Sequence, residues 1–204
     1  MKNNIFTILL MLLAVSIWIL YPFSAKADVM GSLVGATTGA TYRIACSPFT
    51  APSNGTITSV SAYNVASSGG NWQGAIYDSD GASNQPNTKL GNASVDTAMP
   101  ATANWSTSTL VSSVTITSGH IYYICEWLSG ATANYIYAVG AATDLAVSNT
   151  TAYATWPSSF GFNSNSARLL RIYATYTPTG SGTTPPVAKM SVNGQVYING
   201  QVSI

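Results

Sequence analysis

Charge is scarce in this sequence. Lys and Arg number seven and Asp and Glu six among 204 residues, with a single histidine. No basic patch can form to neutralise a run of phosphates, which excludes nucleic acid as a partner. Anionic membrane surfaces drop out for the same reason. The scarcity does not signal disorder, which goes with low hydrophobicity and high net charge. Here 47% of residues are hydrophobic and the formal net charge is +1. The lone histidine, His120, sits in a Ser118-Gly119-His120 turn and reads as a solvated surface residue rather than a general base. No second histidine completes a triad and no Gly-x-Ser-x-Gly elbow occurs. Glycoside hydrolysis needs only two carboxylates about 5–10 Å apart. However, Asp78, Asp80, Asp96, Glu126 and Asp144 stand in no recognisable motif. The expectation is a protein that is not an enzyme and carries no cofactor.

What is present begins with a leader. Lys2 precedes an almost unbroken apolar run from Ile5 to Leu20, Pro22 breaks it, and Ala25-Lys26-Ala27 has the small-x-small form of an export cleavage site. The run also approaches the ~20 residues of a transmembrane span, so an uncleaved anchor is the rival reading; Pro22 and the Ala-Lys-Ala site favour cleavage after residue 27. The remaining chain keeps Arg43, Lys89, Arg168, Arg171 and Lys189 against Asp28, Asp78, Asp80, Asp96, Glu126 and Asp144, a net charge of −1. It would work secreted, outside the cell or at its surface, with no membrane contact once the leader is gone.

Turn signals recur at Ser53-Asn54-Gly55, Ser68-Gly69-Gly70, Asp80-Gly81, Ser118-Gly119 and Ser129-Gly130. Between them lie runs rich in β-branched and aromatic residues. Strands are predicted over Tyr42–Cys46, Thr56–Val65, Trp72–Tyr77, Ile121–Leu128, Asn134–Val139 and Arg168–Thr177, with weaker ones over Leu90–Val95 and Ser106–Ser112. No amphipathic helical stretch follows the leader. The fold class is all-β, a two-sheet antiparallel β-sandwich of jelly-roll type over residues 28–178.

Parity along the strands assigns faces. Leu170, Ile172, Ala174 and Tyr176 share one side of the last strand. Glu126 is expected to face out, which turns Ile121, Tyr123, Cys125 and Trp127 inward; Arg43 outward leaves Tyr42, Ile44 and Cys46 inward. Both cysteines then face the core. In an exported chain, a Cys46–Cys125 disulfide is the first reading, and two separate buried thiols are the alternative.

Residues 179–186 read as a linker and residues 187–204 as a repetitive tail. Val192-Asn193-Gly194-Gln195-Val196 is answered six residues later by Ile198-Asn199-Gly200-Gln201-Val202. Asn-Gly is the strongest two-residue hairpin signal, so three short strands can meander here. Such a unit is marginal alone. It packs either on its own sandwich or, through Val192, Val196, Ile198 and Val202, on the sheet of another subunit.

Two stretches invite a ligand. Asp78-Ser79-Asp80-Gly81-Ala82-Ser83-Asn84 resembles the opening of a calcium loop, with Asp78, Asp80 and Asn84 as oxygen donors. Its closing glutamate is missing, and an ordinary Asp-Gly turn is the stronger reading. Trp156, Phe160 and Phe162 lie in a loop rich in Pro, Ser, Gly and Asn. Aromatics there either stack on sugar rings or plug the open end of the sandwich. Sequons stand at Asn54, Asn92, Asn104 and Asn149, relevant only in a glycosylating host.

The segments Pro48-Phe49-Thr50-Ala51-Pro52, Gly55-Thr56-Ile57-Thr58-Ser59-Val60, Ala75-Ile76-Tyr77-Asp78, Ile121-Tyr122-Tyr123 and Ile172-Tyr173-Ala174-Thr175-Tyr176-Thr177-Pro178 resemble a family of uncharacterised secreted β-sandwich domains from environmental sequences. The resemblance spans about residues 35–178 and implies a fold like that of carbohydrate-binding modules. It supplies no catalytic residues, and Cys125 and the hexad tail depart from it. Two functions follow as expectations. One is a structural or adhesive surface protein, a filament or surface-layer subunit whose tail or Val29–Ala36 segment pairs with a neighbour's sheet, its partners being copies of itself or other surface proteins. The other is a carbohydrate-binding module that engages polysaccharide through its aromatic loop.

Overall fold

The computed structural model describes residues 27–39, 44–66, 69–93, 95–129, 133–139, 145–148, 153, 155–179, 190–192, 195–198 and 201–203. The expected leader, most of the expected linker, Tyr42, Arg43, Asp144, the Asn149 sequon and both Asn-Gly pairs of the tail lie outside these residues. Among the described residues no helix is long and apolar enough to cross a membrane.

Two antiparallel sheets pack face to face, built from the β-rich runs and turn signals of the sequence. The first contains β1 (Asp28–Gly31), β4 (Gly55–Ala66), β8 (Asn104–Ile116) and β14 (Ile172–Pro178). The second contains β3 (Ile44–Thr50), β5 (Asn71–Asp78), β6 (Lys89–Asn92) and β9 (Ile121–Leu128). Their hydrogen-bonded orders are β1-β14-β4-β8 and β3-β9-β5-β6. Numbered along the chain, these eight strands run first, eighth, third, sixth in one sheet and second, seventh, fourth, fifth in the other. That is jelly-roll order.

Shorter strands extend both sheets. β10 (Ala133–Val139) pairs with the end of β4, with β2 (Thr37–Gly39) and with β13 (Arg168–Leu170). β7 (Thr97–Ala98) pairs with β5, while β11 (Leu145–Ser148) joins β3 to β12 (Ser164–Ser166). The Val29–Ala36 segment, considered above as a strand for a neighbour, begins as an edge strand of its own sheet: Val29 lies opposite Thr175 and Met30 opposite Ala174. The tail forms a separate three-stranded meander of β15 (Met190–Val192), β16 (Gln195–Ile198) and β17 (Gln201–Ser203). Val192 opposes Gln195 and Ile198 opposes Gln201, so each connection is two residues long, as the Asn-Gly pairs require.

The main core lies between the sheets and includes Ile57, Val60, Ala62, Trp72, Ile76, Ile124, Leu128, Ile172, Ala174 and Tyr176. Leu170, Ile172, Ala174 and Tyr176 all face inward, following the expected alternation. Gly74 marks a close approach of the layers, because a Cβ there would come within 2.7 Å of Val60 Cβ.

The parity of β9 and β3 is the reverse of the one expected. Glu126 points between the sheets with Tyr122, Ile124 and Leu128, while Tyr123, Cys125 and Trp127 point to the outer side of the second sheet; Ile44 and Cys46 follow them outward as Ala45 turns in. The physical reason is a second core. The segment from Tyr153 to Phe160 covers that outer side, packing Trp156 and Phe160 over Ile44, Cys46, Ala75, Tyr77, Tyr123, Cys125 and Trp127. A strand buried on both faces gives no alternation to read. Relative facing survived the inversion, since both cysteines moved together. Cys46 and Cys125 are register partners joined by a disulfide.

Candidate functional site

The site is built on the covered side of the second sheet, where the β5–β6 turn meets the segment before β12. A chain of polar contacts fixes that segment to the sheet. Trp156 Nε1 donates to Gln73 Oε1 at 2.9 Å, Tyr77 OH donates to the Pro157 carbonyl at 2.6 Å, and Lys89 Nζ donates to the Trp156 carbonyl at 3.1 Å. Gln73 in turn donates to Asp96, which also accepts from Tyr153 OH. Burial raises the phenol pKa of both Tyr77 and Tyr153, the Asp96 carboxylate adding to it at Tyr153. Both phenols therefore remain neutral donors throughout the physiological range.

Rings interlock above the disulfide. Trp127 meets Trp156 edge-on at 5.2 Å and Tyr153 at 5.7 Å, and Phe160 meets Tyr77 edge-on at 5.3 Å. Backbone bonds then zip the segment to the neighbouring turn. Lys89 N–H reaches the Ser158 carbonyl at 2.9 Å, Phe160 N–H reaches the Asn87 carbonyl at 2.7 Å, and Ser159 Oγ donates to Asn87 Oδ1 at 2.5 Å.

Beyond this seam opens a groove of about 680 Å³. One wall is the turn carrying Gly81, Ser83, Gln85 and Asn87; the other carries Phe162, Asn163 and Ser164, with Phe160 beneath. Phe162 is 42% exposed. The lining holds one accessible aromatic ring, amides and hydroxyls, and no ionisable side chain. The volume suits a ligand of one or two sugar rings.

The two stretches singled out in the sequence therefore converge at one place, although most of their named residues serve other ends. Trp156 and Phe160 are each only 6% exposed. Their rings plug the outer side of the sheet and are not free to stack on a ligand, which leaves Phe162 as the accessible aromatic of the three. In the acidic turn, Asp80 accepts from Thr88 N–H at 2.8 Å and from Thr88 Oγ1 at 2.5 Å. Those bonds hold its carboxyl pKa below the ordinary value. Asp78 Oδ1 meets His120 Nε2 at 2.5 Å, and the Asn84 carbonyl accepts from Tyr123 OH at 3.0 Å. One carboxylate oxygen of Asp78, both of Asp80 and the Asn84 carbonyl are thus engaged by protein groups. Among the described residues no three His, Cys, Asp or Glu side chains come together. Ser83 and Asn84, both at φ 57, make the segment a tight turn that shapes one groove wall.

Gln85, Asn87 and the Tyr153–Asp96–Gln73 network carried no sequence signal. Single amides in loops have no spacing to reveal them. No protein-family model matches this chain, and comparison with curated proteins returns no match.

Proposed function

We propose that this is a non-catalytic adhesive protein, exported and displayed outside the cell, that holds neutral polysaccharide in the groove between the Gly81–Asn87 turn and Phe162. The carrying observation is the lining: an exposed ring beside amides and hydroxyls, without charge. A pyranose has the complementary character, with C–H faces that stack on a ring and hydroxyl edges that bond to amides. Rigidity supports the reading. Phe160, at the base of the groove, belongs to the packed cluster that also holds the cross-strand disulfide, so little conformational entropy is lost on binding. The export leader, low charge and resemblance to carbohydrate-binding sandwiches point the same way.

Affinity electrophoresis in gels containing soluble mixed-linkage β-glucan, galactomannan or xylan tests this. Retardation by at least one polymer, reduced on Phe162→Ala, is expected. Equal mobility of Phe162→Ala and the parent in every gel would overturn the reading.

The period-six tail favours a second role in assembly. A three-stranded sheet of 3–4 residues per strand is too small to be stable unpacked, and packing against neighbouring copies would make the protein a filament or surface-layer subunit. Particles seen by negative stain that disappear when the chain ends at Pro186 are the expected result. Identical monomers from both chains in size-exclusion chromatography would remove this role.

A further inference from the structure

We propose a second saccharide-binding platform on the outer face of the other sheet, centred on Trp105. Resting on the groove reading, it makes the molecule a two-sided cross-linker of polysaccharide chains. On that face Tyr63 of β4 and Trp105 of β8 are direct register partners, and Tyr173 of β14 lies opposite Ser61 one row away. The rings form a continuous layer. Trp105 stands 5.4 Å from Tyr63 and 4.9 Å from Tyr173, centroid to centroid. All three are half-buried, while Ser61 beneath them is 1% exposed and shares a 2.7 Å hydrogen bond with Thr107.

Arg171 locks this layer. Its guanidinium lies 3.7 Å from the centre of Tyr63 and 5.4 Å from that of Trp105. Nε donates to the Leu33 carbonyl at 2.9 Å and Nη1 to the Gly35 carbonyl at 3.3 Å. The planar fork thus ties the Leu33–Gly35 stretch to the rings and holds them in place. Gly31 helps from the edge strand, because a Cβ there would come within 2.6 Å of Tyr173 Cβ.

The neighbours identify the ligand class. Ser59, Thr107, Thr109 and Thr175 occupy adjoining positions of the same face, with the exposed Val29 of the edge strand beside Thr175, and none of these carries a carboxylate. A protein partner is best held by a desolvated apolar centre, and a nucleic acid by several free cations. Rings fixed among hydroxyls, with the one guanidinium bound to main-chain carbonyls, fit a pyranose chain. Because this face and the groove belong to opposite sheets, one molecule can hold two chains, and avidity follows without new contacts.

The test uses the full mature protein and the three polymers above, read by affinity electrophoresis and by turbidity of the mixed solution. Trp105→Ala is expected to weaken retardation about tenfold and to abolish turbidity, while Trp105→Phe retains both in part. Phe162→Ala should also abolish turbidity yet leave the residual retardation that Trp105 supplies. Unchanged Trp105→Ala alongside a dead Phe162→Ala would overturn the platform and leave the groove standing. Full binding by Phe162→Ala with none by Trp105→Ala would overturn the groove and keep the platform, though not the cross-linking. Absence of retardation in all variants would overturn both. Near-UV circular dichroism of Trp105→Phe, whose ring preserves the layer, separates lost contact from lost fold.

Discussion

Replacing Glu126 by Gln should abolish a steep pH dependence of stability. Glu126 is 2% exposed and is the one residue with an ionisable carboxyl or amine in the buried set of the described residues. Burial pushes its carboxyl up to about 8 from an ordinary 4.5, with the Asn64 side chain acting in the opposite direction. Neither Glu126 Oε2 nor Asn64 Nδ2 completes a hydrogen bond. Between pH 4.5 and 8 the folded protein therefore holds a proton that the unfolded chain has released, so unfolding becomes easier as pH rises. The stabilising contribution is complete below pH 4.5 and is lost by the time pH passes 8. At about 1.4 kcal/mol per pH unit, the whole span amounts to roughly 4–5 kcal/mol. Urea denaturation at pH 5, 6, 7, 8 and 9 measures it directly. The parent should lose several kcal/mol across the series and Glu126→Gln should stay nearly flat, becoming the more stable of the two at pH 8. Parallel slopes for the two proteins would refute the burial argument.

Replacing both Cys46 and Cys125 by Ala frees a loop with a sequence separation of 79. This should cost about 4–5 kcal/mol on the chain-entropy account, measured by denaturant melts of the non-reduced proteins; a loss below about 1 kcal/mol would contradict it. Gly74→Ala drives a methyl to 2.7 Å from Val60 Cβ, backbone against β-branched side chain with no flexible end to move. A loss of about 1–3 kcal/mol is expected by thermal melting, and Gly74→Ala combined with Val60→Ala should recover part of it.

The sequence carried the architecture further than the site. Turn spacing and β-rich runs located the strands of both central layers, and Ile121–Leu128 matched β9 residue for residue. The short strands β2, β7, β11 and β12 were not legible, because two to four residues need no distinctive composition, and Val29–Ala36 was expected to pair with a neighbour's sheet where β1 pairs with its own. Arg168–Thr177, expected as one strand, is divided at Arg171 into β13 and β14. At that point the backbone passes from β10 to β4, as Arg171 N–H bonds the Ile136 carbonyl and Tyr63 N–H bonds the Arg171 carbonyl. Glu126 misled the parity argument because a charged residue is assumed to seek water, whereas here both sides of β9 are covered. The disulfide pairing needed only that the two cysteines face the same way, so it survived that inversion. Aromatics in a loop marked the neighbourhood of the groove. Which ring stays accessible is decided by how the segment folds over Tyr77 and Trp127, a tertiary outcome that local sequence does not encode.

The central claim is that Phe162 and the amides around it hold a neutral glycan, and nuclear magnetic resonance tests it most directly. An ¹⁵N-labelled protein comprising residues 28–204, oxidised and at pH 6, would be titrated with oligosaccharides cut from whichever polysaccharide retards it in gels. The account predicts saturable shifts in the amides of Gly81–Asn87 and Phe162–Ser164, absent from Phe162→Ala. Saturable binding that leaves those amides unmoved would contradict it.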